Sequence, residues 1–338
     1  MSNINVSKIQ ELIDPILLIH KYKITEELKI QINKWRSTVA NIISEKDHRK
    51  LLILGPCSIH NVDEAIDYAK HLKPIIDKYS DKIFIVMRVY FEKPRTTIGW
   101  KGLINDPDLD YTYNINKGLD LSRKLLLDIN SMGIPVGCEF LDTISPQYIA
   151  DLVTWGAIGA RTTESQVHRQ LASGLSMPIG FKNGTGGSID IAVDAITSAK
   201  SEHVFLGVNQ NSKASIIKTK GNLNCHIILR GGKNEPNYYE KNVLYTCKLL
   251  QSNNHTQRVM IDCSHGNSRK FFKNQITVLE NIITQLKNNN IFGIMIESNI
   301  NEGKQSISEN LKYGVSVTDG CLGLPDTEIC LKMLYEEL

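Results

Sequence analysis

VMIDCSH, at residues 259–265, is a short apolar run that leads directly into residues able to bind an anion or a metal ion. Six further runs end on, or just before, a charged or metal-binding residue: LLILGPC (51–57), IFIVMR (83–88), AIGAR (157–161), IGFK (179–182), HIILR (226–230) and GIMIE (293–297). GVSVTD (314–319) is counted as the eighth run. Apolar runs of this length, bounded by turn residues, are typical of strands buried on both faces. Functional groups gathered at the carboxyl ends of such strands are the arrangement of a (β/α)8 barrel active site.

Helix-like segments alternate with these runs, so we predict an α/β fold, a (β/α)8 TIM barrel over residues 51–338. Residues 1–50 precede the barrel and contain an amphipathic helix candidate at 24–45. We expect this helix to pack on the bottom or side of the barrel, and the arm as a whole to serve regulation or oligomerisation. Residues 203–224 contain two β-like runs separated by NQNSK, which predicts a β-hairpin inserted before the HIILR strand. The helix candidates lie at 62–76, 116–132, 146–153, 188–200, 238–252, 270–288 and 327–338.

The composition argues against several classes of protein. The 338 residues are 41% hydrophobic and carry a net charge of only +3, without a long basic block, so we expect no nucleic-acid partner. No apolar stretch approaches the roughly 20 residues needed to span a bilayer, and the start lacks a secretory pattern. The seven cysteines are scattered without a CxxC pair, which favours a reduced, cytoplasmic protein with no membrane contact.

Positive charge is focused in one loop and at three other strand ends. RVYFEKPRTTIGWKG (88–102) combines several cations with threonine hydroxyls, although such a loop on its own is as often merely solvated. Arginine can grip a carboxylate or phosphate through two parallel hydrogen bonds, whereas lysine offers a compact point charge. Cations at separate strand ends therefore predict a site for phosphorylated anions. The candidates are Arg88, Lys93, Arg95, Thr96, Arg161, Lys182 and Arg230.

A metal site is predicted from Cys57, His265, Glu297 and Asp319, which lie far apart in the sequence. A lone buried cysteine is usually a small hydrophobe, and a lone histidine is as often a hydrogen-bonding residue as a ligand. Carboxylates that end apolar strands, however, need a partner to offset their desolvation. Sulfur, imidazole and two carboxylates suit Mn²⁺, Fe²⁺, Co²⁺ or Zn²⁺ better than Mg²⁺ or Ca²⁺.

Some further residues near these segments lie outside the proposed anion and metal ligands. Glu139, in GCEFLDT (137–143), is placed at another strand end. It is either a general acid/base or water-positioning group, or an anchor for nearby cations. His168 is interpreted as a helix-surface or supporting residue, and Cys263 and Cys321 each as part of the core or as a residue that supports the ligands.

At these residues the chain resembles the class I 3-deoxy-D-arabino-heptulosonate 7-phosphate (DAHP) synthases over nearly its full length. The segments that carry the resemblance are GPCSIH (55–60), MRVYFEKPRTT (87–97), GWKGLINDPD (99–108), GARTTESQVHR (159–169), GFKNGT (180–185), HIILRGGK (226–233) and DCSHGNS (262–268). The family is a metal-dependent TIM barrel that joins phosphoenolpyruvate to erythrose 4-phosphate. Its reaction opens the shikimate route to chorismate and the aromatic amino acids.

The resemblance implies roles for individual positions. Cys57, His265, Glu297 and Asp319 correspond to the family's metal ligands. Arg95 and Thr96 correspond to its aldose phosphate site. Lys93 is our candidate proton donor to the aldehyde oxygen, with a water on the metal as the alternative. The phosphoenolpyruvate grip corresponds to Arg88, Lys93, Arg161, Lys182 and Arg230.

The resemblance also implies feedback inhibition by an aromatic amino acid and a homodimer or homotetramer. DCSHGNS, MIESNINEG (295–303) and KYGVSVTD (312–319) are most similar to the tyrosine-regulated branch. The matching effector positions are Pro146, Gln147, Ser176 and Gly207. Gly207 leaves space where phenylalanine-regulated relatives commonly carry serine, which favours tyrosine as the effector.

Three other functions remain open at the level of the sequence. A synthase of the 3-deoxy-octulosonate 8-phosphate type would use arabinose 5-phosphate, but its members usually lack the arm and the hairpin. A class II aldolase would use several histidine ligands, whereas only His265 is placed at a strand end. A non-catalytic phosphosugar-binding regulator would have no need of all four metal-ligand residues.

Overall fold

The computed structural model describes residues 3–338, and eight parallel strands in it close into a barrel. Around the barrel the order is β1, β2, β3, β4, β5, β8, β9 and β10, and β10 pairs with β1. The predicted (β/α)8 fold is confirmed. The strands are β1 (Lys50–Gly55), β2 (Ile83–Arg88), β3 (Val136–Glu139), β4 (Trp155–Ile158), β5 (Ile179–Lys182), β8 (His226–Leu229), β9 (Val259–Asp262) and β10 (Ile291–Glu297).

Residues 314–319 are not a strand, which corrects the assignment of the eighth run. β10 already pairs with β1 and closes the barrel, so no edge is left for another strand after it. Residues 314–319 form a loop that touches its neighbours through isolated bridges, one of them between Lys304 and Ser316. The eighth barrel strand is instead β3, which ends at Glu139 as predicted and whose Gly137 lies where an added Cβ would come within 3.1 Å of the Trp155 ring.

Helices cover the outside of the barrel, as their amphipathic patterns predict. The N-terminal arm forms α1 (Pro15–Lys21) and α2 (Glu26–Ile43). The remaining helices are α3 (Val62–Tyr79), α4 (Ile115–Ser131), α5 (Pro146–Ile149), α6 (Gln166–Gly174), α7 (Asp190–Ala199), α8 (Glu240–Ser252), α9 (Asn274–Gln285) and α10 (Leu324–Glu336), with short 3-10 turns at Ala150–Leu152 and Leu286–Asn288.

Helix α2 closes the amino-terminal end of the barrel, as expected for its packing. The Thr25 hydroxyl accepts a hydrogen bond from the Leu28 N–H and so caps the start of the helix. Near its other end Val39 and Ile42 are buried in the inner core together with Phe292. The Arg258 guanidinium donates to the Ile42 carbonyl at 2.6 Å, which satisfies a helix-end carbonyl.

The predicted hairpin is also confirmed: β6 (Val204–Val208) and β7 (Ala214–Lys218) pair antiparallel between α7 and β8. Their burial alternates, so that one face of the hairpin meets the protein and the other is exposed. Among residues 3–338, no helix has the length and apolarity to cross a membrane.

Candidate active site

Functional side chains from five strands converge at the carboxyl end of the barrel. Arg88, Lys182 and Glu297 are the last residues of β2, β5 and β10, and each is buried. Cys57 follows β1 by two residues, and Asp262 ends β9. Because parallel strands end on one rim, groups hundreds of positions apart in the chain meet there.

Cys57, Glu297 and Asp319 each offer a ligand atom, and these atoms lie within 4.8 Å of one another. The His265 Nε2 lies 3.9 Å from Glu297 Oε1 at the margin of this group. His265 and Asp319 are both in loops rather than at strand ends, because β9 stops at Asp262 and the last run is no strand. Sulfur, imidazole and carboxylate donors fit a borderline or soft divalent metal, so the residues present suit the predicted ion.

The charge state of these donors follows from their neighbours. Burial by itself would raise the pKa of the Glu297 carboxyl, but the charges of His265 and Arg88 outweigh it and lower that pKa. Arg88 Nη2 donates to Glu297 Oε1 at 3.0 Å. Burial raises the pKa of the Cys57 thiol, opposed by Lys93, whose Nζ lies 3.3 Å from the sulfur. The carboxylate is therefore ready as a ligand, whereas the thiolate needs a cation beside it.

Asp262 is a site residue that the sequence analysis did not single out. Its Oδ2 lies 2.9 Å from His265 Nδ1 and 3.3 Å from Lys182 Nζ, and its side chain is fully buried. Burial would raise its pKa, but His265 and Lys182 lower it far below the usual range. A carboxylate at Nδ1 leaves Nε2 of the imidazole free to bind a metal. Its position at the end of β9, inside DCSH, is the feature of the sequence that could have identified Asp262 as a site residue.

The cations predicted to bind anions lie in the same region. Lys182 Nζ is 3.8 Å from Glu139 Oε2, which favours the interpretation of Glu139 as an anchor for cations. Burial raises the pKa of Glu139, but Lys182 and Lys93 lower it overall. Toward solvent, Arg161 Nη2 donates to the Thr96 hydroxyl at 2.9 Å, and Arg95 lies on the same exposed loop.

The Arg230 loop is fixed by buried amides that the sequence analysis also missed. The Arg230 N–H donates to the Asn183 side chain at 2.8 Å, and the Gly231 N–H donates to Asn237 at 2.7 Å. Gly231 has a φ of +75°, and a Cβ there would come within 2.5 Å of the Asn267 backbone nitrogen. Only glycine allows the Gly231 backbone to lie this close to the loop that contains Asn267, and this contact fixes the backbone position of the adjacent Arg230.

A separate cavity of about 1050 Å³ lies between α2, α5, α6 and the hairpin. All four predicted effector positions line it: Pro146, Gln147, Ser176 and Gly207. Arg36 and Arg123 contribute positive charge to its wall, and Phe205 and Ile217 contribute apolar surface. Such a mixture of apolar area and a few charged groups is typical of a pocket for a small amphiphilic molecule.

One segment, residues 140–145, lies between this cavity and the loop that carries Glu92 and Lys93. Thr143 and Ile144 line the cavity. On the other side Glu92, next to Lys93, accepts hydrogen bonds from the Asp142 N–H at 3.0 Å and the Ser145 hydroxyl at 2.8 Å. His168 supports the same segment through a 2.7 Å contact with the Leu141 carbonyl, in agreement with its interpretation as a supporting residue.

Comparison with known proteins identifies the family. Residues 23–332 match the DAHP synthetase I family. The chain is 50% identical over 336 residues to the "Phospho-2-dehydro-3-deoxyheptonate aldolase, Phe-sensitive" of Escherichia coli (strain K12), covering 98% of this chain and 96% of that protein. It is 50% identical over 335 residues to the "Phospho-2-dehydro-3-deoxyheptonate aldolase, tyrosine-inhibited" of Candida albicans (strain SC5314), covering 96% and 90%.

A solved structure agrees with these matches. The phospho-2-dehydro-3-deoxyheptonate aldolase of Francisella tularensis SCHU S4 superposes with a TM-score of 0.97 at 51% identity, covering 98% of each chain. The resemblance carried by the motifs is thereby confirmed. The chain belongs to the DAHP synthetase I family.

Proposed function

We propose that this chain catalyses the DAHP synthase reaction, in which phosphoenolpyruvate, erythrose 4-phosphate and water give DAHP and phosphate. This is the first step of the shikimate pathway. The observation that carries the proposal is the match of residues 23–332 to the family, joined to the cluster of cations and ligand-type residues at the carboxyl rim. In this reaction C3 of phosphoenolpyruvate forms a bond to the aldehyde carbon, water adds at C2, and the C2–O bond to phosphate breaks.

The cations bind and orient the two anionic substrates. At a separation of ~5 Å and an effective dielectric near 20, two unit charges of like sign repel by about 3 kcal/mol. Several cations are needed to offset this cost, so we assign phosphoenolpyruvate to Arg88, Lys93, Arg161, Lys182 and Arg230. Arg95 and Thr96 lie on the exposed loop beside Arg161, where they can receive the phosphate of the aldose.

Lys93 is our candidate for the proton donor to the aldehyde oxygen. Its Nζ is held by the Cys57 carbonyl at 3.1 Å and lies 3.3 Å from the Cys57 sulfur. We assign Cys57, His265, Glu297 and Asp319 to a divalent ion, Mn²⁺, Fe²⁺, Co²⁺ or Zn²⁺. When bound, such an ion supplies Lewis acidity toward the aldehyde carbonyl.

The cavity lined by Pro146, Gln147, Ser176 and Gly207 is our candidate effector site, with tyrosine as the favoured effector. The sequence supports this choice, because Gly207 stands where phenylalanine-regulated relatives commonly carry serine. In the structure a Cβ at Gly207 would come within 2.7 Å of the Ile217 side chain, which also lines the cavity. Glu92 links this cavity to Lys93, its neighbour in the chain. Because Glu92 accepts hydrogen bonds from Asp142 and Ser145, a movement of residues 140–145 on effector binding would change the position of Lys93.

We further propose that the arm at residues 1–50 and the hairpin take part in regulation and in a homodimer or homotetramer. The Ile16 N–H donates to the Gln210 carbonyl at 2.9 Å, which ties the arm to the hairpin. The outer hairpin face exposes Val204, Leu206 and Ile216, a surface suited to burial against another subunit. The seven cysteines are all unpaired and buried, which supports a reducing, cytoplasmic setting.

The test is an assay of phosphate release and of the seven-carbon product with each candidate aldose. We expect turnover with phosphoenolpyruvate and erythrose 4-phosphate after addition of Mn²⁺, and much less with arabinose 5-phosphate. Preference for arabinose 5-phosphate would favour the octulosonate-type synthase, and no turnover with any aldose would favour a binding protein. Initial rates with tyrosine, phenylalanine and tryptophan then identify the effector, and tyrosine-insensitive turnover would refute our choice.

A further inference from the structure

Tyr90 lies at the boundary between the apolar interior of the barrel and its charged rim. It follows the last residue of β2 by two positions and is fully buried. Its ring packs in the inner core cluster with Val86, Trp155 and Met295. The ring is therefore the point at which the apolar core ends and the proposed phosphoenolpyruvate site begins.

Three of the proposed phosphoenolpyruvate cations surround this one ring. The guanidinium carbon of Arg88 is 3.6 Å from the ring centroid, which is stacking distance. The Nζ atoms of Lys93 and Lys182 are each 6.0 Å from the same centroid. Cations are attracted to the negative face of an aromatic ring within about 6 Å, and the attraction is larger when the contact is desolvated.

Arg88 has no contact with solvent, so its surroundings alone must hold its charge. Its N–H groups donate to the carbonyls of Pro56 and Cys57 and to the Glu297 carboxylate. These bonds use the N–H groups at the edge of the guanidinium, whereas the Tyr90 ring contacts its central carbon. We propose that the face of the Tyr90 ring is a positioning element of the phosphoenolpyruvate site, which holds the Arg88 guanidinium in the orientation that binds this substrate.

The hydroxyl group of Tyr90 does not provide this support. Within residues 3–338 it has no hydrogen-bond partner although it is buried. Burial raises the pKa of the phenol well above its usual value, so the side chain is neutral and supplies no counter-charge. The π face is what remains to attract the cations, and a ring without the hydroxyl should act in the same way.

The inference rests on the proposed function, because phosphoenolpyruvate is the ligand whose affinity is measured. The experiment starts from Tyr90→Phe and places 4-fluoro-, 3,5-difluoro- and 3,4,5-trifluorophenylalanine at position 90 in the full chain. Fluorine withdraws electron density from the ring face while nearly keeping its shape. Phosphoenolpyruvate binding is measured by calorimetry in the metal-loaded enzyme, and KM and kcat are measured in the phosphate-release assay.

We expect Tyr90→Phe to keep phosphoenolpyruvate affinity within about twofold. Each added fluorine should weaken it by about threefold, reaching roughly thirtyfold, the range of a desolvated cation–π contact. The KM for erythrose 4-phosphate should change far less. The matched control is the same fluorinated series at Phe292, a ring in the same core cluster near the opposite end of the barrel, which should leave phosphoenolpyruvate affinity unchanged.

Two results would overturn the inference. One is equal phosphoenolpyruvate affinity across the position-90 series, and the other is a loss in Tyr90→Phe as large as in the trifluoro protein, which would assign the effect to the hydroxyl. Failure of the unmodified chain to bind phosphoenolpyruvate or release phosphate would instead count against the proposed function. The two failures are therefore distinguished by the unmodified protein.

Discussion

Replacing Glu92 with glutamine should remove a specific pH dependence of folding. Burial raises the pKa of the Glu92 carboxyl from its ordinary 4.5 to about 7, although the Ser145 hydrogen bond opposes that effect. Between these values the folded protein binds more protons at this group than the unfolded chain does. The stability that Glu92 contributes is therefore complete below about pH 4.5 and is lost as the pH rises through about 7.

The size of the effect follows from that interval. At about 1.4 kcal/mol per pH unit, the full window corresponds to about 3 kcal/mol, of which about 2 kcal/mol falls between about pH 5.5 and 8.5. Glutamine has the same shape and no titration. Its oxygen can still accept from the Asp142 N–H, and its amide can donate to the Ser145 hydroxyl, so the two contacts that tie residues 140–145 to Glu92 are kept.

Urea unfolding, followed by circular dichroism at fixed protein concentration and several pH values, measures the difference in unfolding free energy between wild type and Glu92→Gln. Only this difference is informative, because other groups titrate nearby; burial lowers the pKa of His60 to about 4, which gives the opposite slope. We expect the wild type to lose about 2 kcal/mol relative to the variant from about pH 5.5 to 8.5. Parallel stability curves, or a difference of the opposite sign, would refute the reasoning. Ser145→Ala removes a donor that lowers the pKa of Glu92 and should shift the pH-dependent loss upward.

Three further predictions concern the site and the cavity. Cys57→Ala should weaken metal binding by about tenfold or more in a chelator competition, and unchanged affinity would exclude Cys57 as a ligand. Asp262→Asn removes the charge beside Lys182 and His265. We expect kcat/KM to fall by roughly ten- to a hundredfold and the unfolding free energy by about 3 kcal/mol. Unchanged values in both assays would show that Asp262 does not orient these two residues. Gly207→Ser should weaken tyrosine inhibition in initial-rate assays without changing uninhibited turnover, because a Cβ there would come within 2.7 Å of Ile217 and displace a side chain that lines the proposed effector cavity. Unaltered inhibition would place the effector elsewhere.

The barrel could be predicted because each buried parallel strand is a short apolar run that is read locally. The error in one strand has a non-local cause. VGCE (136–139) is only four residues long with a glycine, whereas residues 314–319 have the better alternating pattern. Which of these two segments enters the barrel depends on where the ring of strands closes. β10 pairs with β1 and closes the ring, so residues 314–319, which follow β10 in the chain, have no strand left to pair with.

The candidate site was predicted unevenly for a related reason. Strand-end cations and carboxylates are visible in the sequence, but Asp262 was hidden because the run VMIDCSH was assumed to continue to His265, three residues beyond the end of β9. Glu92 and Tyr90 lie in VYFEK, which follows β2 and precedes the exposed part of the basic loop. Their burial depends on how that segment packs against the rim, and neither periodicity nor charge pattern contains that information.

The arrangement of carboxylates explains how several cations can lie close together at the rim. Lys182 has carboxylates at 3.3 Å and 3.8 Å, and Arg88 has one at 3.0 Å. At an effective dielectric of about 20, an ion pair at such distances is attractive by about 5 kcal/mol before desolvation. Asp262, Glu139 and Glu297 thus offset three of the five positive charges that we assign to phosphoenolpyruvate, and two remain in excess. Affinity for phosphoenolpyruvate must then depend on hydrogen-bond donors that are already held in the binding geometry, as well as on total charge. Residues that orient these donors, such as Asp262, should therefore matter as much as the cations themselves.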